Sequence, residues 1–257
     1  MMNSPLLKLD GVSKKYNSKT VVDYISLDIN RGEIFGLLGP NGAGKSTTMN
    51  MICSLVKATT GEITVLGYDN KSEMNKIKEK IGYIPQDLAI HGNLKAWENV
   101  ELFAGLYGLK GRKLKEAVDE SLEFVGLSEY RNGFAKNFSG GMKRRLNIAC
   151  ALSHKPELLI FDEPTVGVDP QSRNYILERI KDINKKGATV IYTSHYMEEI
   201  EAICSRIAIM DHGSIIAIGT KDELIRLVSK DNKDMSLEQV FLTLTGKRLR
   251  DHGLGEV

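Results

Sequence analysis

The sequence predicts an α/β fold with a mainly parallel sheet, an N-terminal antiparallel β subdomain and an inserted α-helical subdomain. Residues 24–30, YISLDIN, alternate apolar and polar side chains, as in a sheet with one solvated face. Residues 158–163, LLIFDE, and 188–195, ATVIYTSH, are apolar runs typical of parallel strands that are covered on both faces. Between residues 92 and 152, apolar residues recur at helical spacing instead, which predicts the helical insertion.

The first third of the chain is predicted to place a strand, a glycine-rich loop and a helix in that order. Residues 32–39, GEIFGLLG, form a continuous apolar strand that leads into the loop. After the loop, apolar residues recur at helical spacing, at Met49, Ile52, Cys53 and Val56. Residues 61–67, GEITVLG, and 81–86, IGYIPQ, are predicted strands on either side of a lysine-rich segment, 71–80, which we expect to form a solvated helix.

Helical and strand patterns alternate in the rest of the chain. The apolar spacing of the insertion is carried by Leu94, Trp97, Val100, Leu122 and Val125. Residues 205–219, SRIAIMDHGSIIAIG, predict a hairpin with DHGS as its turn. Ser236 and Gln239 form a capping box for a last helix that reaches Leu244.

The domain organisation follows from the places where these patterns change. The strand pattern stops just after IPQD and returns with LLIFDE. We therefore predict a core of residues 1–91 and 153–230, a helical subdomain of residues 92–152, and a helical C-terminal tail of residues 231–257.

Residues 39–47, GPNGAGKST, form the complete G-x-x-x-x-G-K-[ST] motif of a phosphate-binding loop. Gly42 and Gly44 allow backbone torsions and a close approach that let successive N–H groups point at phosphates. Lys45 brings a positive charge to the outer phosphates, and the Ser46 hydroxyl can ligate Mg²⁺. A chance glycine-rich turn would lack the strand and helix on either side, so the motif predicts a RecA-like P-loop NTPase core.

Two carboxylates follow the apolar run of LLIFDE. Ionised groups next to such a run are costly without a cation, so we assign Asp162 to the magnesium ion that Ser46 would ligate. Successive side chains of a strand point in opposite directions, and we therefore expect Glu163 to orient and deprotonate an attacking water instead. This assignment favours hydrolysis over transfer to a second substrate.

Three more side chains are candidates for the nucleotide site. His195 ends ATVIYTSH, at the strand end where open α/β sheets bind ligands, and we expect it to contact the γ-phosphate. Gln86 ends IGYIPQ and would reach the metal or the water with its amide oxygen, although a plain polar strand end explains it as well. Tyr16 would offer its ring to a base, but spacing alone favours a half-buried surface tyrosine.

Residues 137–146, NFSGGMKRRL, form a second candidate phosphate holder. A serine and two glycines precede a basic helix start, where backbone N–H groups and the positive end of the helix dipole face an anion. One nucleotide does not need two such loops from separate parts of a chain. The pattern therefore raises the question of whose phosphate the second loop binds.

Composition narrows the function classes. The formal net charge is +2 with 26% charged residues, which does not indicate a nucleic-acid partner. Cys53, Cys150 and Cys204 lie in apolar stretches without C-x-x-C spacing, which favours reduced, buried thiols. The N-terminus lacks a signal-peptide pattern and no apolar run reaches membrane-spanning length, so we expect a membrane role to require other polypeptides.

Taken in order, GPNGAGKST, IPQD, FSGG, LLIFDEPTVGVD and TSH resemble the ATP-binding cassette (ABC) family over nearly the whole chain. The resemblance implies ATP and Mg²⁺ as cofactors and an ATPase activity. The catalytic residues that it implies are Lys45, Glu163 and His195, and the metal contacts are Ser46, Gln86 and Asp162. The nucleotide-binding residues that it implies are Tyr16, Gly39, Pro40, Asn41, Gly42, Ala43, Gly44, Lys45, Ser46, Thr47, Gln86, Ser139, Gly140, Gly141 and His195.

The resemblance also implies an answer to the question of the second loop. Cassettes of this family pair head to tail, so Ser139, Gly140 and Gly141 of one chain would close over the nucleotide bound by the phosphate loop of a second copy or a paralogous cassette. Asp169 corresponds to a residue of the dimer contact. Phe138 and Met142 replace the usual leucine and glutamine, which leaves the backbone and serine contacts possible.

The stretches SGGMKRRL, EPTVGVDP and SLEQVFLTLTG look like those of drug-export and lipid-export cassettes that serve separate membrane subunits. This likeness implies an ATPase subunit on the cytoplasmic side of the membrane, bound to a transmembrane permease. Leu94 and Trp97 would line a groove for the permease, although packing within the subdomain explains Trp97 equally well. The main alternative is a soluble ABC-type ATPase that remodels a cytosolic assembly. A P-loop kinase or GTPase would need neither FSGG nor a base directly after the metal aspartate.

Overall fold

The computed structural model describes residues 5–229 and 235–246, and the chain separates into two compact units. The first unit takes in the described residues up to Met74 and from Ile191 onward, and the second comprises Asn75–Val190. Strand β8, Thr189–Ser194, runs across the boundary. Parallel strand pairs and helices are found in both units and an antiparallel sheet in the first, so the predicted α/β class is confirmed.

An antiparallel sheet forms one layer of the first unit. Its strands are β1 (Leu7–Tyr16), β2 (Lys19–Ile29), β4 (Thr60–Val65) and β5 (Tyr68–Asp69). They follow the order β2-β1-β4-β5, and Leu7 pairs with both Ile29 and Val65. In β2, Ile25 and Leu27 are buried while Ser26 and Asp28 are exposed, as the alternating pattern predicted.

The first unit also contains the strand that leads into the phosphate loop. That strand, β3 (Ile34–Leu38), is buried along its whole length and pairs in parallel with β9 (Arg206–Asp211). An antiparallel partner, β10 (Ser214–Gly219), follows β9. The turn between them is formed by His212 and Gly213, with φ angles of 45° and 84°, as a two-residue hairpin turn requires. The predicted hairpin is confirmed.

Helices of the first unit follow the strands to which they are joined. They are α1 (Lys45–Ile52), α7 (Met197–Ile203), α8 (Lys221–Val228) and α9 (Leu237–Thr245). The capping box of Ser236 and Gln239 begins α9 as predicted. The prediction that α1 extends to Val56 is wrong, because Ser54 adopts a left-handed φ of 52° and ends the helical path.

The second unit combines a parallel strand pair with most of the helical residues. Its strands are β6 (Ile81–Ile84) and β7 (Leu158–Asp162). Its helices are α3 (Ala96–Leu106), α4 (Gly111–Phe124), α5 (Gly140–Leu152) and α6 (Pro170–Lys185), and α2 (Met74–Lys78) lies at the boundary. Residues 92–152 are therefore helical in character as predicted. The division into a core, a subdomain and a tail stays a prediction.

Three local expectations need correction. Leu94 precedes α3 and is not part of it, since Lys95 is the N-cap residue. In the lysine-rich segment only α2 is helical, and its Ile77 is buried, so this helix is not fully solvated. Cys53 and Cys150 are buried free thiols, as expected, but Cys204 is partly exposed.

Within residues 5–229 and 235–246, no helix is long and apolar enough to cross a membrane.

Candidate nucleotide-binding site

The phosphate loop connects β3 to α1 through residues in left-handed conformations. Gly42 has a φ of 80° and Gly44 a φ of 106°, which side chains rarely permit. A Cβ on Gly44 would also lie 2.8 Å from the carbonyl oxygen of Val21. Gly44 is the N-cap residue of α1 and has no side chain to cap the helix. The backbone N–H groups at the start of α1 are thus suited to an anion.

Neighbouring backbone groups fix the shape of this loop. The Ala43 N–H donates to the Pro40 carbonyl at 3.1 Å, which closes a tight turn. The Ala43 carbonyl accepts from the N–H of Gly213 at 2.9 Å, so the β9–β10 turn supports the loop from the side. Because several backbone bonds determine the loop, it is preorganised before any phosphate binds.

Lys45, the first residue of α1, has a buried side chain. Its ammonium donates to the carbonyl oxygens of Gly39 at 2.8 Å and Pro40 at 3.2 Å. These bonds compensate the burial of a charge. They also hold the charge at the start of the loop, where an anionic ligand would exchange carbonyl oxygens for phosphate oxygens. Ser46, the next residue, is half-buried.

His195 lies between the end of β8 and the start of α7, and a buried carboxylate joins these two elements. Glu199 accepts hydrogen bonds from the Tyr192 hydroxyl and the Ser194 hydroxyl, both at 2.9 Å. The Ser194 hydroxyl oxygen in turn accepts from the N–H of Tyr196 at 2.9 Å. The backbone is therefore held on both sides of His195. Glu199 was not identified from the sequence as a residue that supports His195. The only signal available was that an acidic residue follows the histidine by four positions.

Tyr16 ends β1 with 45% of its surface exposed, so its ring is accessible to a ligand. The ammonium of Lys14 lies 4.8 Å from the ring centre and donates to the Lys57 carbonyl at 2.8 Å. The ring thus has a cation near it but is not packed into a core. This matches the expected surface tyrosine and is compatible with stacking of a base.

The two carboxylates after LLIF are both buried but differ in backbone conformation. Asp162 is the last residue of β7, and the Tyr83 hydroxyl lies 3.5 Å from its Oδ2 atom. Glu163 follows the strand with a φ of 47°, a left-handed conformation that is strained for a residue with a side chain. The expectation that these side chains alternate along one strand is therefore wrong, because Glu163 has already left β7.

Gln86 lies beyond the end of β6 and not within it. The strand ends two residues earlier, at Ile84, and Gln86 is exposed. Its backbone is held by a residue of α5: Arg144 donates to the Pro85 carbonyl at 2.9 Å and to the Gln86 carbonyl at 2.7 Å. Sequence reasoning did not foresee this contact, because 58 residues separate Gln86 from Arg144.

The second loop ends at Ser139, which caps α5 by accepting a hydrogen bond from the Met142 N–H at 3.2 Å. Ser139 and Gly140 are exposed, and a Cβ on Gly140 would have the Gly167 carbonyl oxygen, at 3.8 Å, as its nearest neighbour. Gly141 is different, since a Cβ there would overlap the side chain of Ser172 in α6. The first glycine leaves space for an outside group, and the second allows α5 to approach α6.

The expectation that a basic helix start faces an anion holds only in part. Arg144 is buried and bonded to the carbonyls around Gln86. Arg145 donates to the Val125 carbonyl at 3.1 Å and lies over the Tyr175 ring. Both arginines therefore bind within the chain. The groups of this loop that remain suited to an anion are Ser139, the start of α5 and the partly exposed Lys143.

Asp169 is the N-cap residue of α6 and accepts a hydrogen bond from the Ser172 N–H at 2.9 Å. This bond, assisted by the Ser172 side chain, lowers the pKa of the Asp169 carboxyl. Asp169 thus has a role in capping α6. The dimer contact implied for it stays a prediction.

A glycine-rich phosphate loop that follows a buried strand and opens a helix defines a nucleotide-binding protein of the P-loop class. The family described as ABC transporter matches residues 22–166, more than half of the chain. The chain belongs to the ABC transporter family, and it is an ATP-binding ATPase.

Curated relatives carry names that describe transporter ATP-binding proteins. Linearmycin resistance ATP-binding protein LnrL of Bacillus subtilis is 54% identical over 88% of this chain and 73% of the relative. Probable multidrug ABC transporter ATP-binding protein YbhF of Escherichia coli is 40% identical over 96% of this chain and 43% of the relative. Nod factor export ATP-binding protein I of Sinorhizobium fredii is 42% identical over 85% of this chain and 64% of the relative. The chain thus spans between 43% and 73% of the length of these relatives.

Solved structures show the same fold. An ATP-binding subunit of an ABC transporter superposes with a TM-score of 0.84 and 31% identity, covering 93% of this chain and 99% of the other. A dimeric ATP-binding cassette in a post-hydrolysis state, bound to ADP and Pi, superposes with a TM-score of 0.76 and 28% identity, covering 83% of this chain and 98% of the other. These likenesses support the P-loop fold class and the ATPase activity.

Proposed function

We propose that the chain is the ATP-hydrolysing subunit of an exporter, and that it acts as a head-to-tail dimer bound to a separate transmembrane permease. The exposed Ser139–Gly140 turn at the start of α5 is the observation that supports a dimer. The chain's own phosphate loop already offers a helix N-terminus to a nucleotide. The second helix N-terminus is therefore available to the nucleotide of another copy or of a paralogous cassette.

The phosphate loop is proposed to hold the chain's own ATP. Lys45 would exchange the carbonyls of Gly39 and Pro40 for phosphate oxygens, since its ammonium is already held at the loop. The exposed ring of Tyr16 would stack on the adenine, and His195 would contact the γ-phosphate. The loop residues of this site are Gly39, Pro40, Asn41, Gly42, Ala43, Gly44, Lys45, Ser46 and Thr47.

The proposed ligands of Mg²⁺ are oxygen atoms of Ser46, Gln86 and Asp162. Among residues 5–229 and 235–246, no group of three or more His, Cys, Asp or Glu side chains could hold a metal ion. A hydroxyl, an amide oxygen and a single carboxylate fit Mg²⁺, which binds few protein oxygens together with water and substrate phosphates. The bound ion would neutralise charge on the phosphates during hydrolysis.

Glu163 is proposed as the general base that accepts a proton from the attacking water. The carboxylate is buried, and its left-handed backbone separates it from the strand that ends in Asp162. Strain of this kind costs roughly 1–3 kcal/mol and is found where function requires an exact placement. The two neighbouring carboxylates can thus serve two roles, one toward the metal and one toward the water.

Export is supported by the names of the relatives. They refer to linearmycin resistance, to a probable multidrug transporter and to Nod factor export. Export moves a compound out of the cell, and this chain would drive that step from the cytoplasmic side of the membrane. The transported compound is not specified by residues that bind nucleotide.

Replacement of the proposed base tests hydrolysis and dimerisation together. Glu163→Gln keeps the shape of the side chain but cannot accept a proton, so kcat should fall by about 10²- to 10⁴-fold while ATP binding persists. Unhydrolysed ATP should then hold a dimer that size-exclusion chromatography detects.

Glu157→Gln is a suitable control, because it neutralises a partly exposed carboxylate that pairs with Lys80. It should retain kcat and form no trapped dimer. Turnover of Glu163→Gln at the wild-type rate would show that Glu163 is not the base. Loss of turnover with only monomer in ATP would argue against dimerisation through ATP.

A further inference from the structure

Two buried side chains of α5 bind the backbone of the loop that carries Gln86. Arg144, 5% exposed, donates to the carbonyls of Pro85 and Gln86 at 2.9 and 2.7 Å. Asn147, 3% exposed, accepts from the Ala89 N–H at 3.1 Å. The two residues are three positions apart and thus lie on one face of the helix. Their bonds hold residues 85–89 by the main chain and leave the Gln86 side chain exposed.

The forked shape of the guanidinium explains why an arginine occupies this buried position. Burial of a guanidinium is unfavourable without good hydrogen bonds, and here the planar fork binds two successive carbonyls. A lysine would keep the charge, but it lacks the fork that binds both oxygens at once. The orientation of the peptide at Gln86 is therefore coupled to the position of Arg144.

Arg144 also lies about one turn from the start of α5, where Ser139 caps the helix. A helix transmits displacement along its axis because its backbone bonds are continuous. Any group that binds at Ser139 and Gly140 and moves α5 would move Arg144 and Asn147 with it. The loop of residues 85–89 would follow.

We infer that Arg144 and Asn147 are positioning residues that couple the Gln86 loop to the start of α5. The inference rests on the proposed function, in which Gln86 contacts the metal or the water and α5 binds the nucleotide of a second copy. Closure on that nucleotide then sets the Gln86 amide at the chain's own ATP.

The adjacent Arg145 provides a matched control within the same helix. It also binds two successive carbonyls, those of Val125 and Gly126, at 3.1 and 3.3 Å. That loop contains no residue proposed to contact ATP or the metal. Arg144→Lys and Arg145→Lys therefore make the same chemical change, and only the first disturbs the Gln86 loop.

The first measurement compares steady-state hydrolysis of Mg-ATP by the full chain carrying either lysine. Arg144→Lys should lower kcat by roughly tenfold to 100-fold with little change in KM, since a misplaced group near the reaction costs up to that factor. Exchange of the Ala89 amide hydrogen, which donates to Asn147, should become faster in Arg144→Lys and in Asn147→Leu. Arg145→Lys should retain both kcat and the slow exchange. Unchanged kcat and exchange in Arg144→Lys would overturn the inference.

A double-mutant cycle asks whether Arg144 acts through Gln86. The cycle uses Gln86→Ala, Arg144→Lys and the double variant, each assayed for kcat. If the coupling exists, the double variant should be no slower than Gln86→Ala alone, because the positioned group is already absent. Additive losses would overturn the inference.

The outcomes separate this inference from the proposed function. Full kcat in Gln86→Ala would refute the role of Gln86 and the inference with it. The ATP-trapped dimer of Glu163→Gln does not depend on Arg144. Its formation, together with additive losses in the cycle, would leave the proposed function in place and remove only the coupling.

Discussion

The two glycine-containing loops of this chain each open a helix, but they do so with different backbones. The phosphate loop uses left-handed glycines at positions 42 and 44 and has no side-chain cap on α1. In the second loop, Ser139 caps the start of α5, and neither Gly140 nor Gly141 has a positive φ. The first loop is therefore shaped to surround an anion, whereas the second presents an ordinary capped helix start.

Their charged neighbours differ in the same way. Lys45 directs its ammonium to carbonyls of the phosphate loop itself, where a ligand can replace them. Arg144 and Arg145 instead bind carbonyls of other loops, outside the segment that precedes α5. The comparison teaches that similar motifs can serve different ends. We propose that the phosphate loop binds the chain's own nucleotide and that the second loop contacts a nucleotide bound by another copy.

Mixing two inactive variants is the strongest test of this difference. Lys45→Ala should weaken ATP binding by about 10- to 100-fold, the effect of losing hydrogen bonds to a charged group. Gly140→Asp would place a negative charge at the exposed start of α5, so closure over a phosphate should fail through repulsion. If sites are shared between chains, the mixed dimer has one intact site, and ATP-dependent dimerisation or ATPase activity should return.

Gly140→Ala is the control for folding, because a Cβ there meets no atom closer than 3.8 Å. Light scattering of the mixture with ATP reports dimers even where turnover requires two intact sites. Folded variants that produce neither mixed dimer nor activity would contradict the shared site.

Substitution of the second glycine tests the packing role assigned to it. Gly141→Ala should lower the free energy of unfolding by about 1–3 kcal/mol, because the added Cβ overlaps Ser172. Ser172→Gly should restore part of this loss, and Gly140→Ala should cause none. Urea denaturation of the variants measures the effect. Equal stability of Gly140→Ala and Gly141→Ala would refute the different roles of the two glycines.

The smallest expected effect concerns the pH dependence of the α6 cap. The pKa of Asp169 is lowered in the folded chain, so its contribution to stability is present at neutral pH. This contribution is lost as the pH falls below the ordinary aspartate pKa of about 3.9 and through the lower folded value. Asp169→Asn keeps a capping oxygen but cannot titrate. The difference in urea midpoint between wild type and variant should therefore change in acid, and a constant difference would contradict this account.

Local patterns were sufficient to predict most elements that position the site. The strand and helix on either side of GPNGAGKST, the buried strand before Asp162 and the β9–β10 hairpin are all confirmed. These features depend on neighbours in sequence, namely apolar periodicity, turn chemistry and a motif whose glycines are needed for its own torsions. The roles of the individual site residues stay proposals.

The sequence and the tertiary structure decided different features of this chain. The sequence by itself determined the phosphate loop and the P-loop family, because one short motif encodes both. It also determined the fold class, because the order of strand and helix patterns along the chain is visible without the structure. Only the tertiary structure decided that Glu163 leaves its strand, that Gly141 packs on Ser172, and that Arg144 binds the Gln86 loop. A buried guanidinium takes whichever carbonyls the fold brings within reach, and periodicity in sequence carries no record of that partner.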